Sequence, residues 1–495
     1  MKNWMSKLAS YYEKMRKRYH DDRLLILFDI DGTIIDMRFM IHYVLKSYDQ
    51  HHGTSFFKNL KVNGIDVHEN QLDQFLKQLD ISPLNKEIIF NWYLKQRWTS
   101  LAIYESHRPF LGVMEVIRWF QMQPNTYVGL NTGRHESLRD DTFFSLNKLG
   151  EQYKVRFNDD LLYMNIHEWE KNIPENKAAG VFHFQRIGYR IFAFIDNEPE
   201  NLEIISNHDY QNEILLLHPD TIFQSQRQKL PSNAISGKNY DITELIKEKT
   251  LPRHVQFVWH GVNDETNLHD FLSSSIDWAE CDIRLDPARK ELILRHNSFE
   301  ENPLQEYEQL YSLKQLLGFI KKFDKFIKLD LKENGKTLDK VLQLVKDFSF
   351  KESQLWFNAK IDDIQEQGFW KVSSIYPFAI LQCPIDEFAP LILNAPNKAK
   401  EILIHLKSWG INRFSLNWKT QKMRQILNQL ERWQFEVNIY NVPDLKSFLK
   451  AVLLLPKSVT SDFNFPKWSY YGGGSGQNWR HHKYSSHQSR KKEFA

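Results

Sequence analysis

The fold of the N-terminal half is decided by residues 24–33, Leu-Leu-Ile-Leu-Phe-Asp-Ile-Asp-Gly-Thr. The first five of these residues are apolar, which predicts a buried strand of a parallel sheet. The strand delivers two carboxylates, Asp29 and Asp31, and Gly32 then permits a sharp backbone turn. A solvated turn would also explain two neighbouring aspartates, so the surrounding segments decide between the two interpretations.

Three other short apolar runs in this half also predict buried strands. They lie at residues 127–130, 191–195 and 214–217, and segments with helical spacing, such as 113–120 and 141–149, lie between them. Alternating strands and helices are typical of an α/β sheet. We therefore predict a Rossmann-like, doubly wound domain at residues 23–222.

The connection between the first two predicted strands is far longer than usual and is not loop-like. Its segments 39–48 and 71–79 carry apolar residues at helical spacing, and 88–98 is rich in aromatic residues. This pattern predicts a helical cap at about residues 37–120, laid over the sheet.

A second series of predicted strands follows a polar stretch at residues 223–253, which we interpret as a linker. The runs are 255–259, 278–283, 292–295, 326–331, 355–358, 378–381, 414–416, 437–440 and 458–459. Most are followed by helical segments, so about eight β/α units predict a (β/α)₈ barrel at residues 254–470. Residues 1–22 are expected to form a basic N-terminal segment, and residues 471–495 a disordered basic tail.

The composition is that of an ordinary globular protein. Of 495 residues, 42% are hydrophobic, and 65 Lys and Arg against 62 Asp and Glu give a net charge of +3, without a nucleic-acid binder's basic excess. Cys281 and Cys383 are too few for a disulfide framework and lie in apolar runs, which predicts buried side chains. No apolar run reaches the ~20 residues of a membrane span, and the N-terminus lacks a secretory signal. We expect a cytoplasmic protein without a nucleic-acid partner.

The order of motifs in the first half resembles that of the haloacid dehalogenase (HAD) superfamily of phosphatases. In that superfamily an Asp-x-Asp-Gly-Thr motif follows the first strand, a second strand ends in Ser or Thr, a Lys comes next, and a third strand ends in acidic residues. The matching residues here are Asp29, Asp31, Thr132, Lys177 and Asp196. The superfamily often has a second Asp beside the last one. Asn197 stands at that position, so a supporting group is expected from Asn197 or Glu200.

This resemblance implies a Mg²⁺-dependent phosphomonoester hydrolase. The metal would be held by Asp29, the backbone carbonyl of Asp31, and Asp196. Asp29 would attack phosphorus to form an aspartyl-phosphate, while Asp31 would protonate the leaving oxygen and then activate water. Thr132 and Lys177 would hold the phosphate oxygens as charge spreads over them.

The second half resembles the glycerophosphodiester phosphodiesterase superfamily of phospholipase C-like barrels, and within it the menorin family. The resemblance rests on Trp259-His260-Gly261, Glu280-Cys281-Asp282, His296 and Asp330-x-Lys332 at the ends of early strands, although the Arg of the usual His-Arg-Gly start is absent. It implies a second divalent cation, Mg²⁺, Mn²⁺ or Ca²⁺, held by Glu280, Asp282 and Asp330. His260 and His296 would then serve as general base and acid.

Two interpretations of the whole chain follow. In one, a phosphatase is fused to an active phosphodiesterase barrel; in the other, the barrel is catalytically inactive and binds a ligand or a partner. A wholly non-catalytic scaffold is disfavoured because Asp29 and Asp31 are both intact. The expected substrate is a small phosphorylated molecule, and sugar phosphates, nucleotides and glycerol phosphate all fit. The sequence predicts no oligomeric state.

Overall fold

The computed structural model describes residues 3–167, 171–221, 229–305, 308 and 310–462 of the chain. It divides into two compact units, Met1–Ile246 and Lys247–Ala495, and each is an α/β fold. The expected tail at 471–495 lies outside the described residues. No helix in the described ranges combines the length and the apolar character that crossing a bilayer requires.

The first unit contains a six-stranded parallel sheet in the order β3-β2-β1-β4-β5-β6, which confirms the predicted Rossmann-like fold. Its strands are β1 Arg23–Phe28, β2 Thr126–His135, β3 Leu162–Asn165, β4 Tyr189–Ile195, β5 Leu215–Pro219 and β6 Ile235–Gly237. β3 and β6 lie outside the predicted set. Both are short edge strands; β6 has little apolar pattern, whereas β3 is marked by the apolar run 161–164. The strand order changes direction beside β1, which opens a crevice at the carboxyl ends of the strands.

The described residues of this unit contain ten α-helices. They are α1 Trp4–Arg18, α2 Arg38–His52, α3 Leu72–Lys77, α4 Pro83–Gln96, α5 Ser100–Ser106, α6 Val113–Gln121, α7 Arg139–Gly150, α8 Ile173–Arg186, α9 Pro199–His208 and α10 Ile242–Leu245. Helices α2 to α5 form the insert between β1 and β2, and α2 packs against both α4 and α5. Helix α6 packs against β2 and so belongs to the sheet layer rather than to the insert.

Two segments expected to lie outside the first domain are part of the first unit. The basic N-terminal segment contains α1, whose apolar face, including Leu8 and Tyr12, is buried. The Tyr12 hydroxyl shares a 2.7 Å hydrogen bond with Thr126 Oγ1 at the start of β2. Within the expected linker, β6 pairs with β5, and α10 packs against α1. Short apolar anchors therefore fix these polar stretches to the sheet.

The second unit is a closed barrel of eight parallel strands, as the sequence predicts. The barrel strands are β7 Gln256–Trp259, β8 Trp278–Leu285, β11 Phe326–Leu331, β12 Leu355–Asn358, β13 Ile380–Pro384, β14 Arg413–Asn417, β15 Glu436–Val442 and β16 Ser458–Ser461, and two further strands are β9 Leu292–Leu294 and β10 Tyr311–Ser312. The helices are α11 Glu265–Leu272, α12 Leu313–Lys322, α13 Lys336–Asp347, α14 Ile361–Ile375, α15 Ala389–Asn394, α16 Pro396–Ser408, α17 Met423–Arg432 and α18 Leu445–Leu453.

One predicted barrel strand is not part of the barrel. The run at 292–295 forms β9, which pairs antiparallel with β8 and β10 in an extension of the barrel wall. The connection from β8 is too short for a parallel crossover, which needs a dozen residues or more. Both cysteines, Cys281 and Cys383, are buried and unpaired, as predicted.

Candidate functional sites

The first site lies where β1 and β4 end side by side. Phe28 pairs with Ile195 in the sheet, so the residues that follow, Asp29 and Asp196, emerge at the same edge. Lys177 Nζ, from the first turns of α8, lies 2.5 Å from Asp29 Oδ1 and 2.8 Å from Asp196 Oδ2. All three side chains are buried. The fold therefore brings Lys177 next to Asp29, which lies 148 positions earlier in the chain, and next to Asp196, which lies 19 positions later.

The charges of this group depend on one another. Burial raises the pKa of Asp29 well above its usual value, and Lys177 opposes that rise. Burial would lower the pKa of Lys177, but Asp196 and Asp29 outweigh it and raise that pKa. Lys177 Nζ also donates to the Asn131 carbonyl at 2.7 Å. The lysine is thus held as an ammonium that neutralises the two carboxylates.

Asp31 is held by an arginine to which the sequence assigned no chemistry. Arg134 Nε donates to Asp31 Oδ2 at 2.7 Å, and Arg134 Nη2 donates to Asp31 Oδ1 at 2.6 Å. The guanidinium also donates to Thr142 Oγ1 and to His107 Nε2, each at 3.0 Å. Burial, and next the charge of Arg134, lower the pKa of His107 well below its usual value. The sequence signal for Arg134 was its place two residues after Thr132.

Thr132 and Asp196 occupy the expected strand ends. Thr132 is buried at the carboxyl end of β2, and its hydroxyl accepts from the Arg134 backbone N–H at 3.2 Å. The expected support of Asp196 by Asn197 or Glu200 stays a prediction, and the structure adds Asn201 to the residues beside Asp196. Asn201 Nδ2 contacts the two Asp196 oxygens at 3.1 and 3.0 Å, because α9 turns that side chain back toward the strand end. Glu200 is exposed.

Asn197 packs under the glycine turn. Its side-chain oxygen accepts from Thr33 Oγ1 at 3.1 Å, and its backbone N–H donates to the same hydroxyl at 3.1 Å. Gly32 has φ +75°, and a Cβ there would lie 2.6 Å from Asn197 Nδ2. A glycine is therefore required both by the backbone conformation and by this close approach.

The donor set of the first site fits Mg²⁺. Lys177 Nζ contacts both Asp29 and Asp196, so the two carboxylates lie close enough to share a cation, and Lys177 competes with a metal for them. Carboxylate and carbonyl oxygens are the hard ligands that Mg²⁺ prefers, with water completing its octahedron.

The second site lies inside the barrel on β8 and β11. These strands pair with Glu280 opposite Lys328 and with Asp282 opposite Asp330, so all four side chains share one face. Carboxylate oxygens of Glu280, Asp282 and Asp330 lie within 4.8 Å of one another. The three predicted metal ligands of the barrel are therefore brought together.

The Asp282 carboxylate is suited to bind a cation, but its negative charge is already compensated by a lysine. Its Oδ2 accepts from Asn263 Nδ2 at 2.7 Å, while its buried Oδ1 accepts no hydrogen bond from the described residues. That Oδ1 lies 3.0 Å from Lys332 Nζ in an ion pair, and Lys332 also pairs with Asp330. Burial would raise the pKa of Asp282, but Lys332 outweighs it and lowers that pKa. Three oxygens thus fit a divalent cation, and Lys332 competes for two of them.

His260 is oriented by a carboxylate at the far end of the barrel sequence. Its Nδ1 is hydrogen-bonded to Asp462, and its Nε2 lies 3.7 Å from Glu280 Oε2. Burial would lower the pKa of His260, but Glu280 and Asp462 outweigh it and raise the pKa to about 9. Burial raises the pKa of Glu280 to about 7, against the opposing charge of His260.

His296 does not lie at the end of a barrel strand. It follows β9 in the extension, where its Nδ1 lies 2.8 Å from Asn297 Oδ1. The charge of His296 is one of the causes that lower the pKa of Asp282. Its carbonyl accepts from Arg284 Nε and Nη2 at 3.2 and 3.0 Å.

Comparisons with known proteins give structural neighbours for each half. A phosphodiesterase of Oleispira antarctica, solved with its product sn-glycerol-3-phosphate, is similar at 14% identity over 45% of this chain and 97% of its own, with a TM-score of 0.34. A glycerophosphodiester phosphodiesterase of Agrobacterium tumefaciens is similar at 12% identity over 43% of this chain and 98% of its own, with a TM-score of 0.31. CbbY of Rhodobacter sphaeroides, solved with phosphate, is similar at 11% identity over 43% of this chain and 92% of its own, with a TM-score of 0.28.

No protein-family model matches the sequence, and no curated protein sequence matches it. At these identities and TM-scores, the structural neighbours assign no function to this chain.

Proposed function

We propose that the first unit is a HAD-type, Mg²⁺-dependent phosphomonoester hydrolase whose nucleophile is Asp29. The observation that carries this proposal is the buried contact of Lys177 with both Asp29 and Asp196 at the carboxyl ends of β1 and β4. A carboxylate can attack a phosphate dianion only where cations neutralise both. The insert of α2 to α5 serves as the cap over this site.

In the proposed reaction, an oxygen of Asp29 attacks phosphorus as the bond to the leaving oxygen breaks, which gives an aspartyl-phosphate. Asp31 gives a proton to the leaving oxygen and later takes one from the water that attacks the same phosphorus. Thr132 and Lys177 hold the phosphate oxygens. Arg134 holds both Asp31 oxygens and so fixes the orientation of the acid.

Mg²⁺ would be held by Asp29, Asp196 and the backbone carbonyl of Asp31, and would supply positive charge against the developing charge on phosphate. Asn201 orients Asp196 for this task. We expect exhaustive chelation to abolish phosphate release and Ca²⁺ to restore it poorly, because Ca²⁺ takes more ligands at longer distances. Release that survives chelation would contradict a shared cation at Asp29 and Asp196.

The experiment that tests the proposal is a phosphate-release screen on the full-length chain with a panel of phosphomonoesters, including a generic aryl phosphate, in Mg²⁺. The exposed Asp140 of α7 offers a matched control, as Asp140→Asn alters a carboxylate outside the site. Release that is lost in Asp29→Asn but kept in Asp140→Asn supports the proposal. Absence of release from every monoester would overturn it.

For the second unit we propose a divalent-cation-dependent phosphodiesterase. Glu280, Asp282 and Asp330 would hold the cation, His260 would act as general base, and His296 as general acid. The support is the clustering of the three carboxylates and the hydrogen bond that orients His260. A diesterase produces a monoester that the first unit could consume.

A second candidate, a non-catalytic barrel that binds a ligand or partner, is favoured by one observation. Lys332 already pairs with Asp282 and Asp330, so the carboxylates are compensated without a metal. The two candidates separate on a glycerophosphodiester followed over time. An active barrel predicts phosphate from the wild type, arrest at the monoester in Asp29→Asn, and an intact diester in Glu280→Gln. No cleavage with Mg²⁺, Mn²⁺ or Ca²⁺ would favour the binding module.

A further inference from the structure

The segment 68–70 of the insert is built into the edge of the first site. His68 Nδ1 accepts from the Asn70 backbone N–H at 3.1 Å, so its proton lies on Nε2, which donates to Glu198 Oε1 at 3.0 Å. Glu198 in turn donates its backbone N–H to Asp196 Oδ1 at 2.8 Å. A chain of hydrogen bonds thus runs from the insert to a proposed metal ligand.

Helix α4 and the residue after it fix the same segment from the other side. The Tyr93 hydroxyl donates to the Glu69 carbonyl at 2.8 Å. Arg97 Nη1 donates to Asn70 Oδ1 at 2.6 Å. Next along the chain, the ring of Trp98 lies 5.2 Å from the guanidinium carbon of Arg134, which holds Asp31. Residues of the insert therefore approach the site from both the Asp196 side and the Asp31 side.

Within this frame, Glu69 presents a carboxylate oxygen that needs a donor. Glu69 is 8% exposed, and its Oε2 accepts no hydrogen bond from the described residues, although His68 Nε2 lies 3.4 Å away. The charge of Asp31 is close enough to add to the effect of burial in raising the pKa of Glu69. Leaving a buried acceptor without a donor is unfavourable, and a ligand that donates a hydrogen bond to this oxygen would remove that cost.

Two arginines of this unit donate to other groups. Arg134 donates to Asp31, His107 and Thr142, as described above. Arg97 donates to Asn70 and, at 3.5 Å, to the Glu69 carbonyl. Glu69 and Glu198 both lie within 3.4 Å of His68 Nε2 and give this edge of the site an acceptor character, which opposes a second anionic group on the substrate.

We infer that Glu69 is the specificity-determining residue of the first site, and that it selects phosphomonoesters whose alcohol part carries a hydrogen-bond donor, a hydroxyl or an ammonium, over those with an apolar or anionic alcohol part. The inference rests on the proposed phosphomonoesterase. It follows from the place of Glu69 Oε2, which lies 3.4 Å from His68 Nε2, the group that donates to Glu198 at the Asp196 end of the site. The inference places the alcohol part of the substrate against Glu69.

The test is kcat/KM for matched alkyl phosphates with the full-length chain in Mg²⁺. Comparing glycerol phosphate with n-propyl phosphate isolates the effect of the hydroxyls, and comparing 2-aminoethyl phosphate with ethyl phosphate isolates the effect of the ammonium. A monoester with a carboxylate on its alcohol part tests the effect of an anion. We expect the wild type to favour at least one donor over its apolar match by about 10-fold or more, and to disfavour the anion. Which pair shows the preference identifies the donor.

Glu69→Gln should reduce that ratio about 10-fold, mainly through KM, and should shift preference toward the anionic ester, because the amide offers donors in place of a charge. Glu69→Asp keeps the charge but withdraws the oxygen by one methylene, and should reduce the donor ratio without favouring the anion. Glu203→Gln, at an exposed carboxylate of α9, is the matched control and should leave all ratios unchanged.

Ratios within one variant do not depend on the amount of folded enzyme, so they report specificity rather than stability. If the wild type cleaves an aryl phosphate but shows no donor preference, or if Glu69→Gln keeps the wild-type ratios, the inference is overturned while the phosphatase stands. If no monoester is cleaved at all, the proposed function fails, and this inference fails with it.

Discussion

Both candidate sites place carboxylates at the carboxyl ends of parallel strands, and each has a buried histidine beside them. The pKa of that histidine is lowered at the first site and raised at the second. In the first unit, burial and Arg134 lower the pKa of His107. In the second, Glu280 and Asp462 overcome burial and raise the pKa of His260 to about 9. The Asp31 carboxylate of the first site is thus held by a cation, whereas His260 of the second site lies among anions.

The largest effect expected from this contrast is the separate loss of two activities. Asp29→Asn should reduce phosphate release from monoesters by about 10³-fold or more, because an amide is a poor nucleophile and a weak metal ligand. Glu280→Gln should leave that release unchanged. Steady-state phosphate assays on both full-length variants measure the contrast. Loss of monoester cleavage in Glu280→Gln would show that the sites are not independent.

A smaller effect is expected at the arginine that distinguishes the first site. Arg134→Lys keeps the charge but loses the two-point contact with Asp31, and should lower kcat about 10–100-fold for alkyl phosphates. The loss should be smaller for an aryl phosphate, whose leaving group needs less protonation. Arg139→Lys, at a partly exposed arginine of the same unit, is the control. Equal losses for both leaving groups would leave Arg134 a purely structural residue.

The smallest expected effect is that the stabilities of the two units against unfolding depend on pH in opposite directions. The folded-state pKa of His107 is lowered, so its contribution to stability is present above about pH 6.5 and is lost as the pH falls. The folded-state pKa of His260 is raised, so its contribution is present below about pH 6.5 and is lost as the pH rises through about 9. Each proton changes the unfolding free energy by up to about 1.4 kcal/mol per pH unit.

Protection factors from hydrogen exchange on the full-length chain, read at β2 and at β8, separate the two units. His107→Gln should flatten the loss of protection at acid pH at β2 alone, and His260→Gln should flatten the fall in protection between pH 7 and 9 at β8 alone. Identical pH profiles in the wild type and both variants would contradict the assigned environments.

The fold of the first unit and much of its candidate site could be predicted because the candidate catalytic residues directly follow predicted strands in the sequence. Asp29 follows β1 directly, and Asp196 follows β4 directly, so the apolar pattern that predicts each strand also places each carboxylate. Arg134 and Asn201 could not be assigned roles in this way. Their contacts depend on how β2 ends and where α9 begins, which local pattern does not define.

The barrel shows where sequence patterns mislead. The run before His296 is as apolar as a strand of the barrel, but only the pairing of β9 with β8 shows that it is antiparallel. Asp462 lies 202 residues from His260, so nothing local links the two. The compensation of Asp282 by Lys332 is likewise a product of register between β8 and the end of β11.

The central claim is that Asp29 carries the phosphoryl group during turnover. The most direct measurement is acid quenching of the full-length enzyme during hydrolysis of an aryl phosphate in Mg²⁺, followed by mass mapping of its peptides. We predict a phosphoryl adduct on Asp29 that accumulates in Asp31→Asn, where water activation is impaired, and that is absent in Asp29→Asn. A phosphoryl adduct on a different residue, or full turnover in Asp29→Asn, would contradict the account.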